Sequence, residues 1–256
     1  AFGGEVQPAI LPGGAYLPAR IDRTVFFGQH WAKRRANDRT FGLIMRGNPW
    51  ENWRLQFGLF NSAQIRPESY SIIYRSVQPD GAANLDIIGS PKHRSAGTSG
   101  EIRLSGVITD GQSRHTVHIA TRGRDTHRLF GGTNAVSFGA ANIGVYRELA
   151  EPVFTYGVRD KDTVRQITPG VTYVGQWASV GEFSVGLQRS FYRRRFGPEN
   201  AAPTRANSEP WLYNGTLALY PTESLAVYAS YTRGIEEFGT APDNAANRGQ
   251  PVPAAL

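Results

Sequence analysis

Along most of the chain, apolar and polar residues alternate with a period of two, the period of a β-strand whose two faces meet different surroundings. Trp53, Leu55, Phe57 and Leu59 fall on one side, with Arg54, Gln56 and Gly58 on the other. Ile102, Leu104 and Ile108 likewise oppose Glu101, Arg103 and Ser105. Past a TDGQSR turn, Val117 and Ile119 oppose Thr116, His118 and Arg122. The most regular stretch is 164–191. There Ile167, Val171, Tyr173 and Trp177 oppose Gln166, Thr168, Gly170 and Thr172, and Phe183, Val185, Leu187 and Phe191 oppose Ser184, Gly186, Gln188 and Ser190. A last hairpin starts near Trp211, sets Leu217 and Leu219 on one face, turns at 221–224 and continues with Leu225, Val227, Ala229 and Tyr231 on one side. With 24–35 (Val25, Phe27, Trp31) and 39–46 (Phe41, Leu43, Met45), the pattern predicts about nine or ten strands and almost no helix.

The connections sort by length. Short corners fall at 48–52, 109–113, 177–182 and 221–224, and long polar, Gly- and Pro-containing segments at 63–98, 125–162, 196–210 and 237–256. Strands threading between short turns on one rim and long loops on the other describe an antiparallel transmembrane β-barrel, whose apolar face meets lipid and whose polar face lines a wet lumen. The ends of the strands agree: Trp177 and Tyr220 lie at short turns, and Phe191, Trp211 and Tyr231 toward the long loops, where interfacial aromatic girdles belong. Arg189 breaks the apolar side between Leu187 and Phe191, so it is expected near the long-loop rim rather than at the midplane. A soluble or secreted β-sandwich that binds carbohydrate through its aromatics also alternates, and stands as the alternative.

Composition narrows this further. Only 40% of the 256 residues are apolar, with 29 Gly and 16 Pro, which favours many turns. The absence of Cys excludes disulfides and thiolate metal sites. No run of about 18 apolar residues could form a spanning helix, and no signal peptide is expected after Ala1. The net charge of +7 rests on Arg: the lysines are Lys33, Lys92 and Lys161, and the rest of the 28 basic residues are arginines. They are scattered through strands rather than gathered on a helix or tail, and no nucleic-acid-binding module accompanies them, so nucleic acid is not the expected partner.

Candidate chemistry is sparse. His115 and His118 take opposite faces of one strand, and with His127 they gather no completing Cys or carboxylate, so no metal site is expected. The Gly-rich stretch at 131–144 lacks the G-x-G-x-x-G spacing and following helix of a phosphate cradle. There is no G-x-S-x-G or paired-carboxylate motif, which speaks against an enzyme, and no cofactor is implied. Ser184 and Ser190 read as lumen hydroxyls. RGRD at 122–125 could grip an anion through Arg forks, although pairing of these arginines with Glu and Asp on neighbouring strands is the blander expectation.

The segment YPTESLAVYASYTRGIEEFGTAPDNAANRGQPVPA, residues 220–254, resembles the late barrel of TonB-dependent outer-membrane receptors, in which a periplasmic turn feeds a strand ending in Tyr-Thr-Arg-Gly and then an extracellular loop. Upstream, FFGQHWAKRRANDRTFGL, SGEIRLSG, RHTVHIATRGRD and GLQRSFYRRRF have the texture of strands from such barrels. The resemblance implies short periplasmic turns, long extracellular loops and a chain divided into an irregular lead-in (1–22) and a partial barrel (23–256) ending in an extracellular loop. A barrel of this class has ~22 strands, so these are part of one. Neither the family's plug domain nor its TonB box is found in this sequence.

By the same resemblance, the whole receptor would sit in the Gram-negative outer membrane, among lipid and lipopolysaccharide. It would take up a scarce nutrient, most readily a ferric siderophore, driven by a TonB-type energy-coupling protein acting through the plug. A passive porin is a further alternative. The substrate-side candidates are Arg122, Arg124, Gln188, Tyr192, Arg193 and Arg195.

Overall fold

In the computed structural model, residues 2–5, 8–17, 20, 24, 26–236 and 246 are described, and every regular element among them is a strand. In chain order these are β1 (Phe2–Glu5), β2 (Ala9–Pro12), β3 (Lys33–Trp50), β4 (Trp53–Arg66), β5 (Ser69–Val77), β6 (Ala82–Ser90), β7 (His93–Asp110) and β8 (Ser113–Gly131). They continue with β9 (Asn134–Asn142), β10 (Arg159–Trp177), β11 (Gly181–Arg189), β12 (Phe191–Pro198), β13 (Thr204–Ser208), β14 (Trp211–Thr222) and β15 (Leu225–Arg233).

The large sheet runs β1-β3-β4-β7-β8-β10-β11-β14-β15, antiparallel throughout, with β12 and β13 extending it beside the far half of β10. Its longest members have 18 or 19 residues, about 60 Å of extended chain and roughly twice what a bilayer core requires. The alternation in sequence becomes two continuous faces because the registers align like with like. Leu59, Leu43 and Gly100 share one row, Ile119, Val171 and Leu187 another, and Phe183 sits opposite Leu217. Nothing among the described residues covers this apolar face: Leu43, Ile102, Val171 and Val227 each stand about half exposed. An apolar surface spread over the whole sheet is far beyond what a water-facing surface carries, so its surroundings must themselves be apolar. Ile167 and Trp177, ten residues apart on β10, bound a band about 33 Å long along the strand, or about 25 Å high at ordinary barrel tilt.

The four short corners expected from the sequence lie on one rim, at 51–52, 111–112, 178–180 and 223–224. Gly111 turns there with φ +57°, a left-handed conformation that glycine adopts without strain. The opposite rim differs from the sequence expectation. The long segments 63–98 and 125–162 are not open loops. β4 and β7 run on into the first, β8 and β10 into the second, and the chain between them folds into a second sheet, β2-β5-β6-β9. The lead-in expected to be irregular contributes β1 to the large sheet and β2, parallel, to the small one. Likewise the segment 196–210 holds the end of β12 and all of β13, which pair as a hairpin. The expected loop at 237–256 lies outside the described residues, apart from 246.

The small sheet holds the enclosed core. Tyr70, Ile72 and Tyr74 on β5 and Leu85 and Ile87 on β6 face one way, with Ile72 opposite Ile87. Their cover is the chain at 143–154 together with Trp31 and Ala32. The expected strand at 24–35 is therefore absent: Val25 lies outside the described residues, and β3 begins only at Lys33. Trp31 and Gln29 are turned inward instead. Gln29, 2% exposed, donates from Nε2 to the Arg147 carbonyl (2.9 Å) and accepts from the Leu149 N–H (2.7 Å), and Trp31 Nε1 donates to the Leu149 carbonyl (2.8 Å). These bonds satisfy backbone that no strand partner reaches. At the edge of this core the Tyr70 hydroxyl donates to Glu151 (3.0 Å) and the Tyr156 hydroxyl to Glu68. Burial, then these carboxylates, push both phenols up, so they stay protonated donors at neutral pH.

Candidate functional site

On the polar face of the large sheet, even-numbered positions of β8, β10 and β11 converge. Cross-strand register places Arg122 between Glu101 and Thr168, and Arg124 between Ser99 and Gln166. Gln188 and Tyr192 follow on the next strands. Together they line a cavity of about 900 Å³, into which Asn214 and Thr232 also project from β14 and β15. A smaller cavity of about 340 Å³ adjoins it toward the short-turn rim, between Arg103, His118 and Thr172.

The hydrogen bonds fix the long side chains. An Arg122 Nη2 donates to Gln188 Oε1 at 2.8 Å, and Arg124 Nε donates to Gln166 Oε1 at 2.9 Å. Gln166 Nε2 in turn donates to Ser190 Oγ (2.9 Å), which accepts from Thr168 as well (3.4 Å). Ser190 is fully buried in the step between β11 and β12, where its N–H donates to the Pro210 carbonyl. Amide oxygens of Gln188 and Gln166 thus help to orient the two arginines. Asp125 stands on the opposite face, where it accepts from Arg165 Nε (2.9 Å) and meets His127 (2.9 Å). Parity explains this, since residues 122 and 124 share a face that 125 does not.

Charge on the polar face is unbalanced. From Arg124 to the short-turn rim, Arg46, Arg54, Arg103, Arg114, Arg122 and Arg124 share it by register with Glu101 and Glu182, and Glu101 is engaged by Arg103 at 2.6 Å. Guanidinium groups along this wall attract anions and offer forks that match carboxylate or phosphate oxygens.

The six substrate-side candidates divide. Arg122, Arg124, Gln188 and Tyr192 line one cavity. Arg193 and Arg195 do not: along β12 they alternate with buried Tyr192, Arg194 and Phe196, and stand exposed on the apolar side of the sheet. The arginine that turns inward is Arg194, buried against Asp162 in a two-pronged pair at 3.0 and 2.9 Å. Gln166, Glu101 and Asn214 are lining residues that were not among the candidates, although their parity placed the first two on the polar face. His115 and His118 take opposite faces, bonded to the Tyr173 hydroxyl and Ser105 Oγ respectively (2.8 Å each).

Of the expected rim aromatics, Trp177 and Tyr220 lie toward the short-turn end of the apolar band and Phe191 and Trp211 toward the other, whereas Tyr231 lies within it, level by register with Val185 and Tyr173. Trp177 packs edge-on against His115 at the short-turn end, where Tyr220 lies at a bulge between Leu219 and Thr222. At the other end Arg189 lies 5.4 Å from the ring centres of both Phe191 and Trp211 and pairs with Glu209 at 3.4 Å. Tyr213 stacks on Tyr231 within the band at 5.9 Å. Arg189 is thus at the band's edge, with its charge shared among two rings and a carboxylate.

No protein-family model matches the sequence, and no characterised protein matches it by sequence. Solved structures do match the fold. The ferric preacinetobactin receptor BauA from Acinetobacter baumannii superposes with a TM-score of 0.72 over 98% of this chain, at 12% identity. The ferric-catecholate import receptor Fiu from K12 E. coli superposes at 0.69 over 96%, at 14% identity. The siderophore receptor PiuA from Acinetobacter baumannii gives 0.65 over 87%, at 12% identity. The chain spans 38%, 40% and 35% of these three receptors. Its fold is that of part of a siderophore-receptor β-barrel, seen here as an open stretch of wall.

Proposed function

We propose that this chain is part of the wall of a TonB-dependent outer-membrane receptor that takes up an anionic iron chelate, a ferric siderophore, and is not an enzyme. The observation that carries this reading is the polar face. On a fold shared with siderophore receptors, Arg122 and Arg124 point into one cavity, where Gln188 and Gln166 accept hydrogen bonds from them. Gln188 and Tyr192 complete the proposed substrate side. The uncovered apolar face supports a place in the outer membrane and disfavours a soluble β-sandwich, in which that face would be enclosed. The short-turn rim is read as periplasmic and the small sheet as extracellular. In the whole receptor, the partner would be a TonB-type energy-coupling protein acting through a plug region.

The test is uptake by the full-length receptor. Changing both Arg122→Gln and Arg124→Gln removes two charged donors while keeping side chains that can still hydrogen-bond. Each charged hydrogen bond contributes on the order of 1.5–3 kcal/mol. Partial replacement by neutral donors should therefore leave a loss of about tenfold or more in the uptake rate at low substrate concentration. Receptor abundance in the membrane should not change. Transport kinetics equal to those of the parent protein would overturn the assignment of these two residues.

A further inference from the structure

Ser190 stands between two prolines, Pro169 and Pro210, and with them marks a seam in the wall. We propose that the β12–β13 hairpin beyond this seam is a leaf, hinged along β10 and poised to fold inward over the cavity, so that its position sets the access of an anionic ligand. The role given to the ligand rests on the cavity reading above; the movement of the leaf does not.

The seam follows from the registers. β11 and β12 meet β10 in one register, Gly170 opposite Gln188 continuing as Ile167 opposite Phe191, so 181–198 would be a single strand but for Ser190. On its other side 204–222 also keeps one register, Tyr192 opposite Ser208 and Arg189 opposite Trp211, and is interrupted at Glu209 and Pro210. At the same level β10 carries Pro169, which pairs with Thr121 on β8 but not with β11 or β12. Proline has no N–H to give a ladder and is ordinarily confined to sheet edges and bulges. Side chains bridge the gap instead. On the lumen side Gln166 and Thr168 donate to Ser190 Oγ, and on the other face Arg189 pairs with Glu209. The Ser190 N–H adds a bond to the Pro210 carbonyl at 3.0 Å.

The hinge side is fastened differently. β12 keeps its ladder with β10 from Ile167 opposite Phe191 to Asp160 opposite Pro198. Two ion pairs reinforce it: buried Arg194 with Asp162, and Arg159 with Glu199 in the turn after β12, two-pronged at 2.9 Å each. β13 pairs with β12 and, among the described residues, with no other strand. A hairpin bonded along one side and parted from the sheet below can rotate about the bonded side, with the few residues at the strand ends absorbing the change. The cavity lies across the seam. Gln188, Leu212 and Asn214 line it from the wall, Tyr192 from the leaf, and Gln166 and Thr168 at the level between. Inward rotation therefore carries Tyr192 over the cavity. Gln166, which holds Ser190, is itself held by Arg124, so the bridge across the seam is tied to a group that faces the ligand.

The test uses the full-length receptor in nanodiscs, free of other cysteines and with no ligand, spin-labelled at Thr204→Cys on β13 and Asn37→Cys on β3, both exposed. β13 lies two strand spacings from β10, about 10 Å, so an inward turn of about 45° shifts it by about 7–8 Å. Ser190→Ala with Gln166→Leu should add a population displaced by that much. Ser190→Ala alone should add a smaller one, and carries the test if the double variant does not assemble. Adding Pro169→Val and Pro210→Thr supplies the missing donors and should abolish the displaced population. Access is read from a thiol at Asn214→Cys with the anionic reagent sulfonatoethyl methanethiosulfonate. Its rate follows the open fraction, so a displaced population of about four-fifths slows modification about fivefold, and the proline replacements restore the rate. An unchanged distance in the Ser190 variants, or a displaced population that survives the proline replacements, would overturn the leaf. A modification rate unchanged beside a displaced leaf would overturn its control of the cavity. Parent-like uptake in Arg122→Gln with Arg124→Gln would instead remove the substrate reading and leave the leaf standing, because the labels report it without ligand.

Discussion

An arginine at Val171 should prevent assembly, while a phenylalanine at the same position and an arginine at the next one should not. Val171 lies within the apolar band, between Ile119 and Leu187 across the two ladders, about half exposed and covered by no other part of the chain. If that exposed side meets hydrocarbon, Val171→Arg places a guanidinium near the midplane at a cost of about 2–4 kcal/mol. That is a large fraction of the few kcal/mol that ordinarily separate a folded from an unfolded domain. Val171→Phe enlarges the side chain into fluid lipid and should be nearly neutral. Inside a β-sandwich core the same enlargement would overpack, at about 1–3 kcal/mol. Thr172→Arg turns to the polar face beside His118, where the adjoining cavity gives it water. Membrane-assembled receptor, read from its heat-dependent gel mobility, should fall sharply for Val171→Arg alone. A Phe variant as defective as the Arg variant would mean that the apolar face is enclosed by protein.

What could be read from the residues alone follows from which contacts are local. The two-residue period survives wherever the two sides of a strand meet different solvents, so the faces of β4, β7, β8, β10 and β11 were legible, as was the sorting of short turns to one rim. Parity also placed Arg122, Arg124 and Gln188 together. Applied strictly along β12, it puts Arg193 and Arg195 with Phe191, and Arg194 with Tyr192. Placing Arg193 and Arg195 with Tyr192 on the substrate side crosses that parity. The buried pair of Arg194 with Asp162 needed the register of β10 with β12, which the sequence does not state. Least legible was the small sheet. Tyr70, Ile72 and Tyr74 alternate, but they sit between Pro67 and the QPDG turn in a segment whose polarity reads as loop. The cover of this sheet comes from Gln29 and Trp31 gripping backbone 118 and more residues away, a contact with no local signature.

That long-range core makes the other large prediction. Ile87 is fully buried, pairs with Ile72 at 1% exposure, and faces Val136 on the opposite ladder. Truncation by Ile87→Ala leaves a cavity in a layer that strands hold from both sides and that cannot collapse without moving β5 or β9. The expected cost is about 2–5 kcal/mol. Ile88 points to the other face and is only half-buried, so Ile88→Ala should cost distinctly less. The large sheet does not depend on this core: its ladders between β4 and β7 and between β8 and β10 persist through the region where the small sheet attaches. Ile87→Ala should therefore loosen the small sheet within an assembled barrel. Amide exchange across 69–90 and cleavage by external protease near 78–81 should rise by at least an order of magnitude, with the strand pairs of the band still protected. If 63–98 behaved as an open loop, parent and variant would exchange alike. If exchange rose equally throughout β7, β8 and β10, the small sheet would be part of the same cooperative unit as the wall. A separable unit is what a binding rim calls for, since elements that rearrange around a ligand are drawn from the less stable parts of a fold.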